Sequence, residues 1–201
     1  MRIARLEPRH KLEATRVLSA AFGGDPLIGW SFRRREAATL PLAFSVSLGQ
    51  LIPAGATFGA FVEERLVGVA MYQRPGAGYA LREAVAAGLL RLLYTAGLGG
   101  TTRLLASIAL TERFKARVMG SEPYHYLDTL GVDPEFARRG VGSELARQSL
   151  AALAGEGLAC LLLTHVDSNV RFYERLGFRV ESDYRLPRSP IRFVAMVRRA
   201  S

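Results

Sequence analysis

The period of hydrophobic and polar positions changes several times along the chain, and each change predicts an element. "RIARLE" alternates from Arg2 and predicts a short strand. Pro8 then opens "PRHKLEATRVLSAAF", whose Leu12, Val17, Leu18, Ala21 and Phe22 fall at helical spacing, and Gly23 and Gly24 end that helix. "GDPLIGWSF" predicts a loop rich in aromatic and turn residues. Arg34 to Leu51 predicts a second helix, with Pro41 allowed near its first turn if the helix begins late. The period then falls to two: "ATFGAFVEE" and "RLVGVAMYQR" predict an antiparallel hairpin turning at Glu63 to Arg65.

Residues 75–121 interrupt the strands. "RPGAGY" predicts a loop, and "ALREAVAAGLLRLLYTAG" and "TTRLLASIALTERFKARVMG" predict two helices around "GLGG", a helical insertion. Arg82, Glu83 and Arg91 keep the first of them from the run of about 18 apolar residues that a membrane span requires. A surface helix forming a wall is favoured over peripheral membrane contact, and no stable membrane insertion is expected. Beyond it, "YHYLDTLGV" predicts a strand, Gly140 to Ala154 a helix, "LACLLLT" an apolar strand and Asn169 to Leu176 a short helix capped by Asn169 and stopped by Gly177. "FRVESDYRL" and "IRFVAMVRR" complete the chain as strands around Pro187 and Pro190. A buried apolar strand among strand–helix–strand units indicates an α/β domain with parallel or mixed central strands.

The length of 201 residues, with 49% hydrophobic and 22% charged residues, suits one globular domain over 1–201. The N-terminal stretch lacks the apolar block of a signal peptide, which sets the expectation of a cytoplasmic protein. Cys160, the one cysteine, excludes an internal disulfide and a Cys-rich zinc site, and its apolar neighbours predict a buried, inert thiol. A net charge of +9 favours an anionic partner. Because the charge is nearly all arginine and spread without a basic block, nucleic acid is not expected to be that partner.

Chemistry concentrates in "PEFARRGVGSELARQSL". Backbone N–H groups at a helix start lack intrahelical partners, and the helix dipole makes that end an anion site. Gly140 and Gly142 remove the Cβ atoms that would hold a pyrophosphate off the backbone, Arg138 and Arg139 add charge, and Ser143 adds a hydroxyl. By itself the motif is equally consistent with glycines that serve a turn and close helix packing. A P-loop would need a lysine after the glycines, and a dinucleotide fingerprint a third glycine where Leu145 stands, so both are disfavoured.

With "NVRFYERLGF" about thirty residues on, "LGVDPEFARRGVGSELA" resembles the GNAT superfamily of acyl-CoA N-acyltransferases. The stretch from "EPYHYLDTLGV" to "FYERLGF" looks especially like the branch that includes puromycin N-acetyltransferase, and the resemblance covers roughly residues 122–199. It implies a GNAT-like α/β fold: a mixed, mostly antiparallel twisted sheet of about six or seven strands with flanking helices and a helical insertion between the third and fourth strands. It also implies acetyl-CoA as co-substrate without a metal, Leu130, Gly131 and Val132 along the pantetheine arm, and a pyrophosphate nest of Arg138, Arg139, Gly140, Val141, Gly142 and Ser143. Tyr173 matches the family tyrosine that protonates the departing CoA thiolate, and Asn169 is a cap first and a cofactor contact second. Two departures stand out. Ala137 replaces the usual Gln or Arg three residues before the first glycine, and Leu163 stands where related sequences place an acid before Thr164.

The reaction so implied is direct attack of a small-molecule amine on the thioester through a tetrahedral intermediate, with a backbone N–H near Leu130 to Val132 stabilising the oxyanion. Strand alternation puts Asp128 with Tyr124, Tyr126 and Leu130 on one face and makes it the base candidate, with His125 on the opposite face as a weaker one; a carboxylate hydrogen-bonded to a neighbouring strand or helix is the slightly favoured reading of Asp128. Phe22, Trp30, Phe32, Tyr124 and Tyr126 suit either an acceptor wall or the core. Asp25 suits either a turn before Pro26 or a cationic substrate. The alternatives are a protein or peptide N-acetyltransferase and a non-catalytic CoA-binding regulator. Homodimerisation is compatible with the sequence.

Overall fold

The computed structural model describes residues 1–76, 81–185 and 192–200. Seven strands form one sheet: β1 (Arg2–Arg5), β2 (Thr57–Val62), β3 (Arg65–Gln73), β4 (Tyr124–Val132), β5 (Ala159–Thr164), β6 (Arg179–Arg185) and β7 (Arg192–Arg198), in spatial order β1-β2-β3-β4-β5-β7-β6. Every neighbouring pair is antiparallel except β4 and β5. A parallel pair needs a crossover, and α6 (Val141–Ala154) supplies it. At the β2–β3 hairpin, Glu63 and Glu64 have φ of 48° and 62°, the left-handed pair whose twist matches the strands, achieved here without glycine.

Helices cover both faces. On one, α1 (Lys11–Ala21) and α3 (Glu36–Leu51) pack Leu18, Phe44 and Leu48 onto Val69 and Met71. The end of α5 (Leu89–Met119) covers Tyr126, Leu161 and Val197 through Met119. On the opposite face, α6 and α7 (Asp167–Glu174) enclose Ala70, Tyr72, Leu127 and Leu162 with Leu145 and Tyr173. A buried hydrogen bond of 2.7 Å between the Tyr72 and Ser149 hydroxyls ties α6 to β3.

Several expected elements are corrected. "GDPLIGWSF" holds a helix, α2 (Pro26–Phe32), because Asp25 caps it: Oδ1 accepts from the backbone N–H of Leu27 at 2.9 Å and Ile28 at 3.1 Å, and Pro26 takes the first helical position. Pro41 lies inside α3 rather than in its first turn. The first inserted helix is divided into α4 (Leu81–Ala86) and the start of α5 by Gly88, whose φ is 108°. Of "GLGG" only Gly97 leaves the helix. Val166, not Asn169, occupies the cap of α7, and Asn169 sits in its first turn. The loop over 75–80 lies partly, and the turn at Pro187 and Pro190 wholly, outside the described residues.

The most consequential correction concerns β4. Met71 pairs with Thr129 and Tyr72 with Leu127, so Asp128 is an extra residue, a bulge. The expected alternation breaks there: Tyr126 faces α5, whereas Leu130 packs with the α6 side. Pairing with β5 also ends at Leu127, opposite Leu162, while β5 continues alongside β7 through Leu163 and Thr164. From Asp128 to Val132, β4 therefore has no neighbour on its β5 side, and the sheet parts.

Gly131 is fixed by the helix packed on this stretch. A Cβ there would lie 2.8 Å from Leu18 Cδ2, 3.0 Å from Ala21 Cβ and 3.1 Å from Phe22 Cε2. Gly131→Ala is expected to lower stability by about 1–3 kcal/mol through overpacking against α1, read from urea denaturation. An unchanged midpoint would show that α1 does not press on β4.

Candidate active site

The turn between β4 and α6 has a backbone conformation that could receive an anion. Arg138 (φ 60°) and Gly140 (φ 80°) both adopt the left-handed region, which curves the chain so that the first N–H groups of α6 open outward. Nothing lies within 4 Å of where a Gly140 Cβ would stand, and a Gly142 Cβ would meet Val132 and Phe172 at 3.4 and 3.8 Å. Gly140 thus answers to backbone conformation and Gly142 to the narrow space between a strand and α7. The turn is anchored from outside: Arg65 donates to Asp133 and Glu135, each at 2.8 Å, and its guanidinium lies 5.1 Å from the Phe136 ring. Arg139 lies over the same ring at 5.3 Å.

From this turn a groove of about 520 Å³ runs along the unpaired edge of β4, between α6 and α7. Leu130, Val132, Arg138, Gly142, Ser143 and Asn169 line it, joined by Arg175, which the sequence reading did not single out. Its contours suit the two parts of CoA: an anion-binding turn for pyrophosphate, and an open strand edge for the amide-bearing arm. Gly131 faces α1 instead, and Arg139 is stacked on Phe136, so neither side of the groove is formed by them.

The groove ends at Tyr173, which also lines a cavity of about 190 Å³ reaching through the parted sheet toward α2. Leu130 and Asn169 are common to both spaces. Tyr173 is buried among Phe172 and Phe178, ring centroids 4.9 and 5.7 Å away. Burial foremost, with Cys160 adding to it, pushes its phenol well above the ordinary tyrosine value, so the proton stays on oxygen at neutral pH. Cys160 is free and buried, and burial pushes its thiol up to about 12.

Inside the cavity, Asp128 is held on both oxygens. Gln73 Nε2 donates to Oδ1 and Thr129 Oγ1 to Oδ2, each at 2.9 Å, and the Gln73 carbonyl accepts from buried Lys115 at 3.1 Å. Asp25 reaches the same cavity with Oδ1 committed to the α2 cap. His165, just beyond β5, is there as well, its Nδ1 2.9 Å from the Arg192 carbonyl oxygen. Burial pushes His165 below the ordinary histidine value, with the Arg192 carbonyl and Asp25 opposing.

His125 lies elsewhere: it is buried on the α6 side beside Glu156 at 3.3 Å and does not line the cavity. Among the aromatic candidates, Phe22 and Tyr126 line the cavity; Trp30 lines a separate one with Leu27 and Phe193. His165 escaped notice in the sequence because it follows an apolar strand in a stretch without a motif.

A family model described as "Acetyltransferase (GNAT) family" matches residues 27–178. Among solved structures, the chain resembles the histone acetyltransferase HPA2 and related acetyltransferase of Corynebacterium glutamicum, with TM-score 0.72 and 22% identity over 99% of this chain and 96% of that one. Arylalkylamine N-acetyltransferase 2 of Aedes aegypti matches with TM-score 0.73 and 14% identity over 100% and 99%. The polyamine N-acetyltransferase of Drosophila melanogaster, which forms N-acetylagmatine, matches with TM-score 0.68 and 19% identity over 98% and 99%.

Two outcomes follow from this geometry. Gly142→Trp, with its fold checked by circular dichroism, is expected to bind acetyl-CoA at least about a hundredfold more weakly by calorimetry, since the indole would block several charge-assisted hydrogen bonds. Unchanged affinity would place the cofactor elsewhere. Cys160, with its thiol pushed up to about 12, is expected to resist thiol reagents at pH 8 in the native protein and to react on unfolding; rapid native labelling would contradict its burial.

Proposed function

Because the chain belongs to the GNAT acetyltransferase family, we propose that it transfers the acetyl group of acetyl-CoA to the amine of a small molecule by direct attack on the thioester. The observation that carries this reading is the junction at Tyr173, where a groove that begins at the glycine turn before α6 meets a small cavity through the parted sheet. Arg138, Gly140, Val141, Gly142, Ser143 and Arg175 would hold the pyrophosphate, and the open edge of Leu130 to Val132 the pantetheine arm. That edge also offers backbone donors for the oxyanion of the tetrahedral intermediate. Acetyl-CoA supplies an activated acyl group, so the chain's own residues have three tasks: to place the amine, to remove its proton and to protonate the leaving sulfur.

Tyr173 suits the last task. A phenol kept protonated by burial at the end of the cofactor groove is poised to give its proton to a thiolate. Asp128 lends negative charge to the cavity wall opposite. The size of the cavity favours a small acceptor: about 190 Å³ corresponds to roughly six water molecules of liquid volume. That space suits a compact amine better than an extended peptide. The polyamine and arylalkylamine activities named for two of the structural neighbours are consistent with this class.

The test is CoA release with a panel of primary amines, followed by Tyr173→Phe on whichever amine reacts. The variant is expected to keep its affinity for acetyl-CoA and to lose about 100-fold or more in kcat, the usual share of a general acid. Full activity in the phenylalanine variant would remove Tyr173 from the chemistry. Binding of acetyl-CoA with no turnover of any amine would favour the non-catalytic regulator.

A further inference from the structure

We infer that His165 is the general base of this site and that Asp25 holds the incoming ammonium, so that the acceptor is a primary amine carried on a compact apolar body. This inference rests on the acetyltransferase reading above. Four observations support it.

First, the hydrogen-bond partner of His165 fixes its tautomer. The Arg192 carbonyl can only accept, so Nδ1 carries the proton toward it at 2.9 Å, and in the neutral ring the lone pair resides on Nε2. No hydrogen bond occupies Nε2 among the described residues. Second, the ring is held in place: Phe193 meets it edge-on with centroids 4.6 Å apart, and Arg192, whose carbonyl orients it, is itself pinned by Asp183 and Asp167. Third, burial pushes the imidazole below its ordinary value, so at pH 7 the ring is neutral and free to accept a proton. Fourth, the carboxylate that competes for the role is occupied, since both oxygens of Asp128 accept hydrogen bonds from Gln73 and Thr129.

Asp25 complements it. Its Oδ1 is the cap of α2, which fixes the carboxylate, and Oδ2 makes no hydrogen bond among the described residues while the side chain lines the cavity. A rigid carboxylate with one free oxygen is a receptor for a single ammonium group. Around it stand Phe22, Leu27, Ile28, Phe44 and Val166, an apolar lining that rewards a hydrocarbon or aromatic body. The titratable groups that share the cavity with His165 are Asp25 from the α2 cap, Asp128 and Tyr126 from β4, and Tyr173 from α7.

The step balances. Ammonium bound at Asp25 gives one proton to His165 Nε2, and the freed nitrogen lone pair forms the C–N bond to the thioester carbonyl. Collapse of the intermediate breaks the C–S bond; sulfur leaves with the electron pair and takes the Tyr173 proton. The second nitrogen proton restores the phenol, and His165 releases the first to solvent. One proton is released for each ammonium acetylated.

The experiment uses the full chain labelled with ¹⁵N at its three histidines, with 2-phenylethylamine and agmatine as probes. Two-bond ¹H–¹⁵N spectra at pH 7 are expected to show His165 neutral and protonated on Nδ1. His10 is an internal contrast, since its Nδ1 accepts from the Glu7 N–H at 3.0 Å. In the presence of CoA, addition of 2-phenylethylamine is expected to shift Nε2 of His165, with agmatine weaker and the response lost in Asp25→Asn. In steady state, His165→Gln is expected to lower kcat about 100-fold or more with acetyl-CoA affinity intact, and to abolish the acidic limb of the kcat/KM profile that lies below the ordinary histidine value. Asp25→Asn is expected to act mainly on the KM for amine.

A neutral ring protonated on Nε2, or His165→Gln with wild-type kcat and an unaltered acidic limb, would overturn the assignment. A purely structural role would lower the melting temperature of His165→Gln and leave that limb in place. If the wild type acetylates neither amine, the proposed acceptor class fails on its own account. The tautomer and the amine-dependent shift still decide the inference, and absence of a shift with both amines overturns it.

Discussion

The parting of β4 from β5 is the constraint on which the site depends. Parallel strands stay together only while their backbone ladders stay in register, and here the ladder runs from Tyr124 with Ala159 to Leu127 with Leu162. At that point β4 inserts Asp128 as a bulge and follows β3 to Val132, while β5 follows β7 to Thr164. The two antiparallel halves hold their partners and the parallel seam opens. A bulge increases local twist, so one extra residue redirects the strand, frees its edge and opens a passage through the sheet.

Chain connectivity turns this gap into a site. The turn after β4 begins α6, so the glycine turn stands at the far end of the free edge; the loop after β5 begins α7, so Tyr173 and His165 stand on the other bank. The β4 bank is held by the buried Tyr72–Ser149 hydrogen bond beneath α6 and by Arg65, which grips part-buried Asp133, exposed Glu135 and the Phe136 ring beneath the turn.

What was legible in the sequence was what short-range physics determines. The start of α6 is a turn-to-helix transition encoded by Gly140 and Gly142 in a few residues, and α6, α7 and the β2–β3 hairpin were readable from periodicity and turn chemistry. α2 was missed because its aromatic and turn residues were read as a loop, although Asp25-Pro26 is a sound helix start. Asn169 was placed at the cap of α7 by preference for its type, yet the chain turns earlier, at Val166. The break in β4 was invisible because "YHYLDTLGV" alternates without punctuation, and a bulge made by aspartate instead of glycine leaves no local mark. With that break unseen, Leu130 was assigned to the face of Tyr126. His165 and Arg175 were beyond reach for another reason: His165 acquires meaning only when β4, β5 and α2 close one cavity with it, and exposed Arg175 only when the turn before α6 comes beside the end of α7.

A single physical cause prepares both ends of the proposed proton path. Burial disfavours charge whatever its sign, so it pushes the Tyr173 phenol up and the His165 imidazole down. The result is an acid that keeps its proton and a base that lacks one at the same pH, facing a shared cavity. Two carboxylates would both be pushed toward their protonated forms by the same burial, so a difference in their partners would be needed to set acid and base apart. Histidine and tyrosine respond in opposite protonic senses to the same dry environment, and the parted sheet is what lets one enclosed space touch both. The residual charge needed to attract an ammonium is then left to Asp25 and Asp128, whose oxygens are steadied by helix N–H groups and by Gln73 and Thr129.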